Sequence, residues 1–123
     1  MQISKFTLYA TLYAVFNVAG ATLIKHKLGA SSVSSVRDFI LFLMSAQTIL
    51  ALCLIVVSMF FSIKVLSLAS FSAAVPYLTG INFILTLMVG IFIFSERLIP
   101  IGYIGVFLIF IGVVCVSMGY GQT

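Results

Sequence analysis

The chain is 123 residues long, 63% apolar and 7% charged, with a net charge of +4 from six Lys and Arg against two Asp and Glu. Soluble domains carry roughly 25% charged residues, and a fold this small leaves about a third of its unfolded surface to be covered by polar groups. Eight charges exclude that, and cations this sparse exclude a nucleic-acid surface; lipid is the solvent this composition fits.

The charges divide the sequence into uncharged blocks at 6–24, 39–63, 65–95 and 98–123. A hydrocarbon layer about 30 Å thick needs roughly 20 apolar residues as a helix. Backbone inside lipid must satisfy its own hydrogen bonds, and these blocks lack the alternation of a barrel strand. The expectation is an all-α integral membrane protein: one domain, 1–123, with four transmembrane helices over about 6–24, 39–61, 67–94 and 101–120. Four helices offer little wall for an enclosed path, so a homodimer, or a heterodimer with a similar small partner, is expected.

The first helix follows a single lysine and ends at Lys25 without a small-residue cleavage site, so it reads as a retained span and not a signal peptide. Ala10, Tyr13, Ala14, Asn17, Gly20, Ala21 and Ile24 share one face at helical spacing. Small residues there let backbones approach, and Asn17 either bonds across helices or lines a polar passage. Lys25, His26 and Lys27 follow at the boundary, where they either snorkel and set topology or meet a lipid phosphate. A serine-rich loop runs on to Asp38.

The second helix carries Gln47 as a polar candidate, and the next turn is expected at 62–64. The third block, 31 residues from 65 to 95, exceeds one span. Pro76 withholds a donor from Ser72, so a kink is expected there, with Gly80 one turn on. Proline and glycine are common in membrane helices, but interrupted helices also place substrate in transporters. Tyr77 and Asn82 beside the break join Tyr13, Asn17 and Gln47 as substrate-pathway candidates. Pro100 suits the first turn of the fourth helix, and Gly102, Gly105 and Gly112 offer a groove for tight packing within the chain or for a dimer seam.

Loops one and three share a side and hold Lys25, Lys27, Arg37 and Arg97, against Lys5 and Lys64 on the other side. That four-to-two margin favours both termini outside, weakly enough to resemble dual insertion. Cys53 and Cys115 sit deep in their blocks and read as small packing residues. No nucleophile–base pair, metal-ligand cluster or phosphate loop stands in the sequence, so neither an enzyme nor a cofactor or metal is expected.

Phe94, Ser95, Glu96, Arg97 and Leu98, followed by the Gly105–Val106–Phe107–Leu108–Ile109–Phe110–Ile111–Gly112–Val113 stretch, resemble the end of the repeat in the drug/metabolite transporter superfamily. There an acidic–Arg–Leu turn precedes a G-x-x-L-I-x-x-G-V helix. The run from Asn17 to Lys25 is similar to the first helix of small multidrug resistance proteins. The likeness covers nearly the whole chain and implies a half-size, EamA-like member, multi-pass in the cell inner membrane. The proton-coupled exporters use a glutamate at the position of Asn17, and an amide cannot alternate between proton and cation. Tyr77 matches their drug-stacking aromatic, which here can stack on a ring or simply pack.

The paired subunits that flip undecaprenyl-phosphate-linked aminoarabinose also resemble this chain, in the Val18–Ala19–Gly20 and Lys25 pattern and in Asn82–Phe83. The resemblance therefore implies transport or flipping of an amphipathic, lipid-linked sugar, its head sheltered by neutral dipoles. Alternatives are a small-molecule or multidrug transporter of the antiporter type and a non-transporting subunit of a membrane complex. The partners expected are membrane lipids, a similar small protein and the amphipathic substrate.

Overall fold

The computed structural model describes residues 2–120, so Met1 and residues 121–123 of the expected domain lie outside the described residues. The described chain is all helical: α1 (Gln2–Ala30), α2 (Val36–Leu43), α3 (Ala46–Leu68), α4 (Phe71–Phe92) and α5 (Pro100–Tyr120). Ser4–Ala30, Ala46–Leu68 and Phe71–Phe92 are long and apolar enough to cross a membrane, and α5 is apolar over residues 100–116. At 1.5 Å per residue the 29 residues of α1 extend about 44 Å, longer than a hydrocarbon layer is thick. Its last turns therefore emerge from the apolar layer and carry Lys25, His26 and Lys27 with them.

Two boundaries differ from the charge-based expectation. The expected second span, 39–61, is divided: residues 39–43 belong to α2, and α3 starts only after Ser45. Ser45 ends one helix and starts the next, because its Oγ donates to the Phe42 carbonyl at 2.7 Å and accepts from the Thr48 N–H at 3.4 Å. The expected turn at 62–64 is helix. α3 runs through Lys64 to Leu68, and the chain reverses at Ala69 and Ser70 instead. Lys64 is tolerated because its ammonium lies 5.6 Å from the Phe60 ring, one turn back, and its stem runs along apolar surface. Residues 67 and 68, expected in the third span, accordingly close α3.

The core lies where α1, α3 and the start of α4 meet. Ala10, Val65, Ala74 and Leu78 are buried together, with Phe6, Tyr9, Tyr13, Leu66, Ala69, Tyr77 and Ile81 packed around them. α1 and α3 approach each other closely at Gly20. A Cβ there would stand 2.8 Å from the Ala51 carbonyl oxygen and 2.7 Å from Ile55 Cγ1, so only glycine permits the approach. The buried hydroxyls are satisfied locally: Ser58 donates to the Ile55 carbonyl at 2.6 Å, and the Thr48 hydroxyl is hydrogen-bonded to Ser45 Oγ at 2.8 Å. Among the described residues α5 packs against α4 alone. Gly80 makes that contact possible, since a Cβ would lie 2.5 Å from Val113 Cγ1. Pro76 stands inside α4, which continues past it to Phe92.

Candidate functional site: the seam between α1 and α4

Two turns between antiparallel neighbours make α1 and α4 run parallel and end on the same side. Lys25 and Gly90 line one cavity and so share a level. Asn17 lies eight residues before Lys25 and Asn82 eight before Gly90, so both amides fall about 12 Å below that level. There they meet: Asn17 Nδ2 donates to Asn82 Oδ1 at 3.0 Å, part-buried between the helices. The two amides that the sequence singled out on separate helices are one pair.

Above the pair, Val18, Ala21, Thr22 and Lys25 of α1 face Thr86, Val89, Gly90 and Phe94 across a cavity of about 90 Å³, room for a few waters. Its hydroxyl donors are spent on their own helices. Thr22 donates to the Val18 carbonyl at 2.6 Å and Thr86 to the Asn82 carbonyl at 2.7 Å, leaving oxygen lone pairs as the polar surface.

Glu96 closes the top. Ile93 and Phe94 wind off the end of α4, Ser95 turns the chain with φ 52°, and the Glu96 N–H returns to the Gly90 carbonyl at 2.9 Å. A non-glycine residue in that left-handed region is strained, and the turn folds the carboxylate down over α4. A Cβ on Gly90 would stand 2.7 Å from Glu96 Oε2, so glycine leaves room for it. Glu96 Oε1 forms an ion pair with Lys25 Nζ, and the same ammonium lies 4.8 Å from the Phe94 ring centroid. The side chains are 54% and 47% exposed, which keeps the pair within reach of water. Beside this cleft, Val15, Val18, Ala19, Thr22, Leu23, Leu85, Val89 and Ile93 line an apolar groove of about 470 Å³ on the outer surface of the same seam.

The other expected pathway residues do not join this cleft. Gln47 Nε2 donates to the Leu23 carbonyl at 3.0 Å and ties the start of α3 to α1. Tyr13 and Tyr77 pack on the core cluster, with the Tyr77 ring 4.9 Å from Phe6 and tilted 49°. Of the basic trio, Lys25 is paired, His26 is exposed and Lys27 lies 5.9 Å from the Phe42 ring. A Cβ added at Gly105 or Gly112 would meet nothing within 4 Å, which removes tight packing within the chain as their role. Gly102 meets only Leu98 of its own turn. Cys53 and Cys115 face outward and are not core packing residues.

Sequence reasoning passed over Thr22, Thr86, Gly90 and the pairing of Lys25 with Glu96. The signal for the pair was present, since loops one and three share a side and carry charges of opposite sign. Among the described residues no group of three His, Cys, Asp or Glu could hold a metal. Compared with known proteins, the chain matches no family model, no curated protein sequence and no solved structure.

Proposed function

We propose that this chain is a membrane transporter of the flippase type, moving an amphipathic, polyprenyl-phosphate-linked sugar through the seam between α1 and α4. The Asn17–Asn82 pair carries the reading. Each amide has donors and acceptors beyond the one bond between them, so parting the pair offers neutral hydrogen-bonding groups to hydroxyls without a titrating carboxylate. The apolar groove on the outer side of the same seam supports it, because a lipid-linked substrate keeps its chain in the bilayer. The cavity itself is too small for a sugar, so transport requires α1 and α4 to separate. Pro76 and Gly80 give α4 a place to bend for that motion.

In this reading α5 is the fourth span, in the inner membrane, and its exposed side, with Gly105 and Gly112, is the seam of a dimer that completes the path. Purified protein in sealed vesicles is expected to move a fluorescent polyprenyl-phosphate sugar between leaflets, and Asn17→Leu or Asn82→Leu to slow it at least tenfold. Flux that survives both substitutions, or no flux from the unaltered dimer, overturns the proposal.

A further inference from the structure

Between the end of α1 and the start of α3 lies α2, eight residues long and so about 12 Å, too short to cross any bilayer. Val36, Phe39, Ile40 and Leu43 fall at i, i+3, i+4 and i+7, one continuous face. They are 77%, 51%, 51% and 37% exposed, so the described chain leaves much of that face open. Phe42, on the flank of the helix, is buried and holds α2 to the protein, with Lys27 against its ring.

Two features fix the depth of this helix. Met44 and Ser45 alone separate it from α3, too little chain for a change of depth, so α2 sits at the level where α3 enters the apolar layer. Its first turn is polar: the Ser35 hydroxyl accepts from the Asp38 N–H at 3.2 Å, the Ser34 hydroxyl donates to Asp38 Oδ2 at 3.1 Å, and all three groups reach water. A helix with an open apolar face and a wet first turn belongs at the boundary between headgroups and acyl chains. Charge points the same way. Lys25 is taken by Glu96 and Asp38 by its serines, while among the described residues Lys27 and Arg37 have no carboxylate partner.

We propose that α2 is an in-plane interfacial helix, seated by Val36, Phe39, Ile40 and Leu43 in the headgroup boundary of the bilayer that α3 enters, with Lys27 and Arg37 on anionic lipid phosphates. This role is independent of what the seam transports. It makes α2 the element that sets how deep the end of α1 and the start of α3 ride in the membrane.

Single cysteines by Phe39→Cys, Ile40→Cys, Arg37→Cys and Val56→Cys, in a Cys53→Ser, Cys115→Ser background, carry nitroxide labels in phosphatidylethanolamine–phosphatidylglycerol vesicles. Position 56, outward on α3, reports insertion in every sample. The ratio of oxygen to water-soluble nickel accessibility is expected to be severalfold higher at 39 and 40 than at 37. Lys27→Gln with Arg37→Gln, or vesicles of phosphatidylcholine alone, should lower the ratio at 39 while leaving position 56 unchanged. Nickel reaching 39, 40 and 37 equally would place α2 in water, and label–label broadening at 39 would place a second copy on the face; either result overturns the proposal. A ratio at 39 indifferent to lipid charge overturns the phosphate contact.

Discussion

Asn17 and Asn82 illustrate what a single amide costs in an apolar surround. Their mutual bond is worth about 1 kcal/mol net, whereas an amide left without a partner costs about 1–3 kcal/mol. Asn17→Leu and Asn82→Leu should therefore each destabilise more than the double substitution implies, and a double-mutant cycle on detergent unfolding should return a coupling of about 1 kcal/mol. Additive effects would mean that the bond at 3.0 Å contributes nothing. Lys25 and Glu96, half in water, contribute little to stability, so their effect is on access. Glu96→Gln should raise the alkylation rate of a Thr22→Cys thiol in the cleft severalfold, and an unchanged rate would show that the ion pair does not close the mouth. Asp38 behaves differently. Hydrogen bonds from Ser35 first and Ser34 next hold its carboxyl below the ordinary aspartate range. A depressed value in the folded state means that the contribution to the α2 cap is fully present above the ordinary pKa, about 3.9, and is lost as pH falls through the lower folded value. The mobility of a label at position 40 should stay constant from pH 7 to pH 5 and rise only below about pH 4.

At the scale of elements, the glycines rank the contacts. Gly20→Ala drives a Cβ to 2.8 Å from the Ala51 carbonyl oxygen, a backbone atom that cannot step aside, and should cost about 1–3 kcal/mol as overpacking does. Gly80→Ala meets the Val113 side chain on a helix with no other neighbour, so α5 can shift and the cost should be smaller. Gly105→Ala meets nothing and should leave unfolding in detergent unchanged. An inverted order would mean that the contact of α5 with α4 is less able to shift than the contact of α1 with α3. The same contrast explains what the amino-acid pattern could reveal. The helical class and the long apolar elements follow from uninterrupted hydropathy, and Asn17 and Asn82 stand out because amides are rare in apolar blocks. The division of the second block is silent in charge: α2 and α3 are both apolar, and Ser45, one hydroxyl among many, makes the break. Lys64 misleads in the opposite sense, since a charge marks a boundary only when its stem is too short to reach one. The cleft was half legible. Its amides are conspicuous, but Thr22, Thr86 and Gly90 acquire meaning only once α1 and α4 are set parallel and at equal height.

For the whole molecule, surface area decides what the fold is closed against. The chain exposes 8504 Å², against about 6,500 Å² for a soluble monomer of 13.3 kDa. Large apolar side chains are exposed on every helix, and α5 carries an unbroken row of them: Ile101, Ile104, Phe107 and Leu108 are all 60% exposed or more. Lipid can cover such a face at no cost, but lipid does not explain why Gly105 and Gly112 leave a smooth strip along it with no side chain of this chain laid into it. Association of membrane helices depends on that kind of close approach, because hydrocarbon offers no hydrophobic drive between them. If two copies meet along α5, Gly105→Leu with Gly112→Leu fills the strip from both sides and should abolish subunit exchange transfer between donor- and acceptor-labelled protein in vesicles. The monomer should remain folded, since neither glycine touches α4, and its circular dichroism and unfolding midpoint should match the parent. Energy transfer that persists through the double substitution would move the seam to another face and leave the strip to lipid.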